Sequence, residues 1–222
     1  MGIFDTYKKI NDLLDKGVET AFELVDVVCE TTANTLVTIT IKTYEELVGK
    51  KLVVLGMQES GKTQFIKTLQ NKPYSEYLQT AESDFDTFEV SLHNGKTIKF
   101  SKGTDIGGSD HYISQNRELA SKADIAILVF DAYKFYNDQE GYVFQTRVRF
   151  DFFKDGIGSP KQKIVVGSFA DKFSTKAEKE RAKKFVFDNL KDVYPDLCDS
   201  LFFMIDMRER DQVLKICEKI FS

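Results

Sequence analysis

Eight consecutive residues, Gly56-Met57-Gln58-Glu59-Ser60-Gly61-Lys62-Thr63, have the types and spacing of a phosphate-binding loop. Two glycines let successive backbone N–H groups turn inward around an anion. A lysine directly after the second glycine reaches the β- and γ-phosphates, and the adjacent hydroxyl ligates Mg²⁺. The residues placed to hold a nucleotide's phosphates are therefore Gly56, Glu59, Ser60, Gly61, Lys62, Thr63 and Gln64. Such a loop needs a strand before it and a helix after it, a context that a chance match lacks. Leu52-Val53-Val54-Leu55 is a short apolar run, and Gln64-Phe65-Ile66-Lys67-Thr68-Leu69 reads as helix, so the positive end of a helix dipole faces the bound anion.

A second constellation lies at Asp105-Ile106-Gly107-Gly108. A carboxylate at the end of a strand beside a phosphate loop holds Mg²⁺ through water, and Gly108 is free to swing its N–H toward a γ-phosphate. Lys62 and Gly108 are the candidate catalytic groups; Thr63 and Asp105 are candidate metal ligands. The strand that delivers Asp105 continues from a hairpin. Phe88-Glu89-Val90-Ser91-Leu92 alternates, Asn94-Gly95 is a turn signal, and Thr97-Ile98-Lys99-Phe100 resumes the alternation. The polar stretch 70–85 before it, with Pro73, has the composition of a loop.

The remaining elements alternate. Helix is expected over 113–123, strand over Ile125-Ala126-Ile127-Leu128-Val129-Phe130, and helix over 141–154, with Phe and Val on one side and Arg147 and Arg149 on the other. Strand Ile164-Val165-Val166, a charged helix over 175–193, strand Leu201-Phe202-Phe203-Met204-Ile205 and a closing helix over 211–220 follow. Strands alternating with helices imply a mostly parallel sheet with helices on both faces. The basic run Lys176, Lys179, Arg181, Lys183, Lys184 alternates with Glu178 and Glu180 and reads as a solvated helix face. His93 beside the turn reads as exposed, and His111 as a surface histidine or a water-positioning group.

Composition sets limits. With 222 residues, 42% of them hydrophobic, the chain holds one ordinary domain and an appendage. A formal charge of −4 and no basic stripe argue against a nucleic-acid binder. Cys29, Cys198 and Cys217 lack metal-ligand spacing and fit a reducing cytoplasm. No apolar run approaches a membrane span. Residues 1–49 form an expected helical extension. Ile3, Tyr7, Ile10, Leu14, Val18, Ala21, Val25 and Val28 recur at helical steps, while 31–48 is rich enough in β-branched residues to fit helix or strand. The stripe suits core burial, a protein partner or peripheral membrane contact. Met1-Gly2-Ile3-Phe4-Asp5-Thr6 matches an N-myristoylation pattern, but the helix is acidic and offers no polybasic second anchor.

From about residue 50 to the end, the order of parts resembles the small P-loop GTPases of the Ras superfamily, and the paired glycine after Asp105 resembles the Arf and signal-recognition-particle-receptor β branch. The resemblance implies an α/β three-layer P-loop NTPase, a Ras-like G domain over 50–222, that binds GTP or GDP with Mg²⁺, works as a switch and hydrolyses GTP slowly. It implies a protein effector and regulators as partners. The switch threonine that ligates the metal falls near Thr80, with Ser83 and Thr87 as competitors. The family's Asn-Lys-x-Asp motif is matched by Ser168-Phe169-Ala170-Asp171, where Asp171 reads guanine N1 and N2 and Phe169 either stacks on the base or joins the core. The backbone of Met207 stands in the last base-side motif. Ser109 occupies the position where the family commonly has a water-orienting Gln, and Asp110 or His111 are the nearest substitutes. Two other classes fit less well. One is a degenerate G domain acting as a constitutive scaffold; the other is a P-loop kinase, which would need an arginine-rich lid.

Overall fold

The computed structural model describes residues 49–73, 82–106, 118–156, 162–194 and 201–221. The expected N-terminal helix, the stretch 31–48, Thr80, and residues 107–111 with Gly108, Ser109, Asp110 and His111 lie outside them. In chain order the elements are β1 (Leu52–Gly56), α1 (Lys62–Leu69), β2 (Glu82–Phe85), β3 (Phe88–Ser91), β4 (Thr97–Phe100), β5 (Gly103–Ile106) and β6 (Ile125–Asp131). Then come α2 (Ala132–Tyr136), α3 (Tyr142–Gly156), β7 (Gln162–Ser168), α4 (Lys176–Leu190), β8 (Phe202–Met204) and α5 (Arg210–Ile220). Of the expected helix over 113–123, residues 118–123 are described: 118–121 are helical, and the helix has ended by 122.

All five residues of β1 and all seven of β6 are buried, as strands covered on both faces must be. They pair in parallel, Leu52 opposite Ile125, and the sheet continues in the order β1-β6-β7-β8, parallel throughout. Side chains alternate between its faces. Leu52, Val54, Ile127, Ile164 and Val166 point to one side, where they meet Phe65, Ile66 and Leu69 of α1 and Val213, Leu214, Ile216 and Cys217 of α5. Val53, Leu55, Leu128, Phe130 and Val165 point to the other, against Phe135 of α2, Phe150 of α3 and Ala182, Val186 and Leu190 of α4. Fully buried side chains such as Phe65 and Phe130 each contribute about 1.5–3 kcal/mol relative to exposure, so α1 is held firmly to the sheet that carries the phosphate loop. The result is three layers, helices on both faces of a parallel sheet, an α/β architecture.

The hairpin forms as its alternation demands. Phe88 lies opposite Phe100, and the turn closes through Leu92 N–H to the Lys96 carbonyl, with Gly95 left-handed at φ 81°. Two features differ from expectation. Glu82–Phe85, in the stretch expected to be loop, is a strand that pairs antiparallel with β5 and sets Ser83 opposite Asp105, because β5 offers it a ladder that its own polar sequence does not announce. On α3 the buried stripe is Tyr142, Thr146, Arg149 and Phe150, whereas Phe144 and Val148 are exposed. Phe and Val therefore do not gather on one side opposite Arg147 and Arg149 as expected: Phe150 and Arg149 share the buried stripe, whose 142-146-149-150 spacing is that of one helix face.

Candidate functional site

Phosphate chemistry begins where β1 ends. Gly56 has φ 135°, and a Cβ there would stand 1.8 Å from the Val129 carbonyl oxygen, so the crossing between β1 and β6 tolerates no side chain. Glu59 and Gly61 are both left-handed, at φ 57° and 90°, which curls the chain back before α1. No side chain caps α1 at Gly61. By contrast α4 is capped by side chains, since Thr175 Oγ1 accepts from Glu178 N–H and the Glu178 carboxylate accepts from Ser174 N–H just before the cap. The first N–H groups of α1 thus keep their hydrogen-bonding capacity and positive dipole end for an anion.

The side chains agree. Ser60 is fully buried, with Oγ donating to the Met57 carbonyl at 2.8 Å, which ties the loop to itself. Lys62 is 7% exposed and donates to the same carbonyl at 2.7 Å and to that of Gly56 at 3.5 Å. Burial is the main cause that brings its pKa down to about 8; the charge of Arg149 acts the same way, and that of Asp105 opposes both. Among the described residues its ammonium meets carbonyl oxygens and no carboxylate. Thr63 Oγ1 donates to Asp105 Oδ2 at 2.6 Å, which brings the two metal-ligand candidates together from α1 and β5. Asp105 is 4% exposed, burial raises its pKa, and its Oδ1 has no hydrogen-bond partner among the described residues. A buried carboxylate oxygen without a donor, next to a threonine hydroxyl, is a donor set that suits a hard oxygen-seeking cation. No group of three or more His, Cys, Asp or Glu among the described residues could hold a metal ion. Glu59 meets Lys134 of α2 at 3.4 Å, and Gln64 bonds Thr68 within α1.

Base-side candidates lie on the loops after β7 and β8, which meet through Ala170 N–H to the Ile205 carbonyl. A Cβ on Gly61 would stand 3.5 Å from Met207 Cγ and 3.8 Å from Ser168 Cβ, so these loops border the phosphate loop. Ser168 is turned inward: fully buried, its Oγ donates to the Phe130 carbonyl at 3.0 Å, and its side chain is not presented to a ligand. Phe169 is left-handed at φ 57° and half-buried, with Lys172 Nζ 4.2 Å from its ring centroid. Met207 is buried and its carbonyl accepts from Thr68 Oγ1 at 2.7 Å. Asp171 is paired with Arg208, Nη2 to Oδ2 at 2.7 Å.

Four residues were not singled out from the sequence. Asp131, at the end of β6, is 1% exposed, caps α2 by accepting from Lys134 N–H, and lies 3.8 Å from Lys172; burial raises its pKa. Its place directly after the apolar run of β6 was the available signal. Lys172 and Arg208 follow recognised base-side residues by one position each. Arg149 is buried on α3, near enough to bear on Lys62 electrostatically. His93, expected to be merely exposed, is half-exposed and faces Glu218 and Asp211 of α5 at 3.0 and 3.4 Å, so it ties the hairpin turn to that helix.

An uncapped helix start behind a buried lysine, at the C-terminal edge of a parallel sheet, defines a P-loop domain of Ras-like architecture. The family model for the Ras of Complex, Roc, domain of DAPkinase matches residues 51–150. Over those residues, from β1 through the phosphate loop and hairpin into α3, the chain is similar to that domain. The similarity takes in Gly56 to Thr63 and Asp105 and stops before Ser168, Asp171 and Met207. No curated protein matches the chain. No helix among the described residues is long and apolar enough to cross a membrane.

Proposed function

We propose that residues 50–222 bind guanine nucleotide with Mg²⁺ and act as a molecular switch with slow intrinsic GTP hydrolysis. One observation carries the reading: the α1 N-terminus is left uncapped beneath left-handed Gly61, with the buried ammonium of Lys62 beside it. That is a site for a polyphosphate, and its similarity to a Roc domain favours guanosine as the nucleoside. Thr63 would ligate Mg²⁺ directly and Asp105 through water. The ion would supply charge neutralisation between the β- and γ-phosphates. Lys62 reaches the same oxygens, and Asp171 accepts from the guanine N1 and N2 donors. Thr80 is the proposed γ-phosphate sensor and Gly108 the proposed backbone donor. A switch of this kind is read by a protein effector and reset by regulators, in a reducing cytoplasm that suits three scattered thiols.

Calorimetry on nucleotide-stripped protein with GDP, a non-hydrolysable GTP analogue, ADP and the matching ATP analogue, each with and without Mg²⁺, tests the reading. Tight, Mg²⁺-dependent binding of the guanine pair is expected. Equal affinity for the ATP analogue would refute the base assignment, and no binding of any of the four would refute the phosphate site.

A further inference from the structure

The base-side loops present two charged groups, not one. Arg208 is gripped by Asp206 within its own loop: Nε donates to Oδ1 at 2.9 Å, Nη2 to Oδ2 at 2.7 Å, and its backbone N–H to Oδ1 at 2.9 Å. Asp206 is in turn set by its own N–H, which donates to Gln212 Oε1 of α5 at 3.1 Å. From that anchor the guanidinium reaches the other loop and meets Asp171 Oδ2 at 2.7 Å. It remains half-exposed, whereas Asp206 is nearly covered. Asp171 and Arg208 therefore stand side by side as an acceptor next to a donor.

That order matches one purine and opposes the other. Guanine offers donors at N1 and N2 directly beside the O6 acceptor, whereas adenine offers an acceptor at N1 beside the N6 donor. Arginine is the side chain that most often reads the O6 and N7 acceptors of guanine. The other side chain at the place of a base donor, Ser168, is fully buried and committed to the Phe130 carbonyl. Resting on the guanine-nucleotide reading above, we infer that Arg208 is a specificity-determining residue that donates to the O6 edge of the bound base while Asp171 accepts from N1 and N2. Asp206 is a positioning residue that keeps the guanidinium at that edge.

The experiment compares GDP, IDP and ADP by calorimetry on the full chain and on Arg208→Ala and Arg208→Lys. IDP keeps O6 and N1–H but lacks the N2 amino group. Loss of a charged donor to O6 should weaken GDP and IDP by the same factor, on the order of ten- to a hundred-fold, and leave ADP unchanged. Arg208→Lys keeps the charge without the planar fork and should recover part of the loss in both. Unchanged GDP affinity in Arg208→Ala, with its melting temperature retained, would overturn the inference. So would a larger loss for GDP than for IDP, the pattern expected if Arg208 acted only by holding Asp171. If the unmutated protein itself binds GDP no more tightly than ADP, the guanine reading falls, and this inference with it.

Discussion

Replacing Lys62 by Met should stabilise the nucleotide-free protein while abolishing nucleotide binding. The buried ammonium has its pKa brought from 10.5 down to about 8, so holding it charged in the fold at pH 7 costs about 3 kcal/mol relative to the unfolded chain. Methionine is similar in length and carries no charge. It forfeits the bonds to the Met57 and Gly56 carbonyls, but Met57 keeps its bond from Ser60 Oγ, so that loss is about 1 kcal/mol. The net gain is about 2 kcal/mol, or about 4–8 °C in melting temperature for a chain of this size. The pH dependence has a definite sign. The folded form holds the Lys62 proton less tightly than the unfolded form, so the unmutated protein gains stability as pH rises from about 8 to 10.5, and its gap to the variant closes over that window. A nucleotide acts in the opposite sense, because its phosphates favour the charged form. GDP should raise the melting temperature of the unmutated protein and leave that of the variant where it is. The assay is thermal melting of phosphatase-stripped protein at pH 7, 8, 9 and 10, with and without GDP. A variant that melts at or below the unmutated protein at pH 7, or a gap that does not shrink by pH 10, would refute the reasoning.

Gly56→Ala should cost about 3 kcal/mol or more, read as a lowered denaturant midpoint, because its Cβ would overlap the Val129 carbonyl; a neutral effect would mean that β1 and β6 do not cross as closely as described. Thr63→Val should remove most of the Mg²⁺ dependence of nucleotide affinity and lower the stability of the nucleotide-free protein by about 1–3 kcal/mol, since it takes a donor from the buried carboxylate of Asp105; binding that stays equally Mg²⁺-dependent would remove Thr63 from the metal site. Asp171→Asn should shift preference from guanine to xanthine diphosphate, measured by competition, because an acceptor becomes a donor. Single-turnover hydrolysis of GTP with excess protein should proceed at or below roughly 10⁻⁴ s⁻¹ given Ser109 in place of a water-orienting glutamine, and a rate above about 10⁻² s⁻¹ would reveal a catalytic group not accounted for.

The phosphate side was legible because its signals are local. Gly56, Gly61, Lys62 and Thr63 fall within eight consecutive residues of one loop, and the strand and helix on either side announce themselves by apolar runs of the right length. Asp105 was legible because it sits near a strand end, one residue before two glycines. Residues that act across the chain were not. Arg208 and Asp171 are 37 positions apart, and nothing in either neighbourhood says that they meet. β2 is polar and is a strand only because β5 accepts it, a tertiary effect that propensity does not carry. Ser168 looked like a weakened ligand, but its position facing inward from β7 sends its hydroxyl to the neighbouring strand.

The all-parallel order of the sheet also governs how the protein emerges from the ribosome. Leu52 pairs with Ile125, and Lys51 N–H is held by the Asp124 carboxylate, so the partner that completes β1 is made seventy-three residues later. At roughly 5–20 residues per second that is a delay of about 4–15 seconds, during which the four apolar residues leading into the phosphate loop have no β6 to lie against. The nascent chain therefore carries β1 without its sheet partner for that interval, and the proposed nucleotide site assembles only once translation has passed β6.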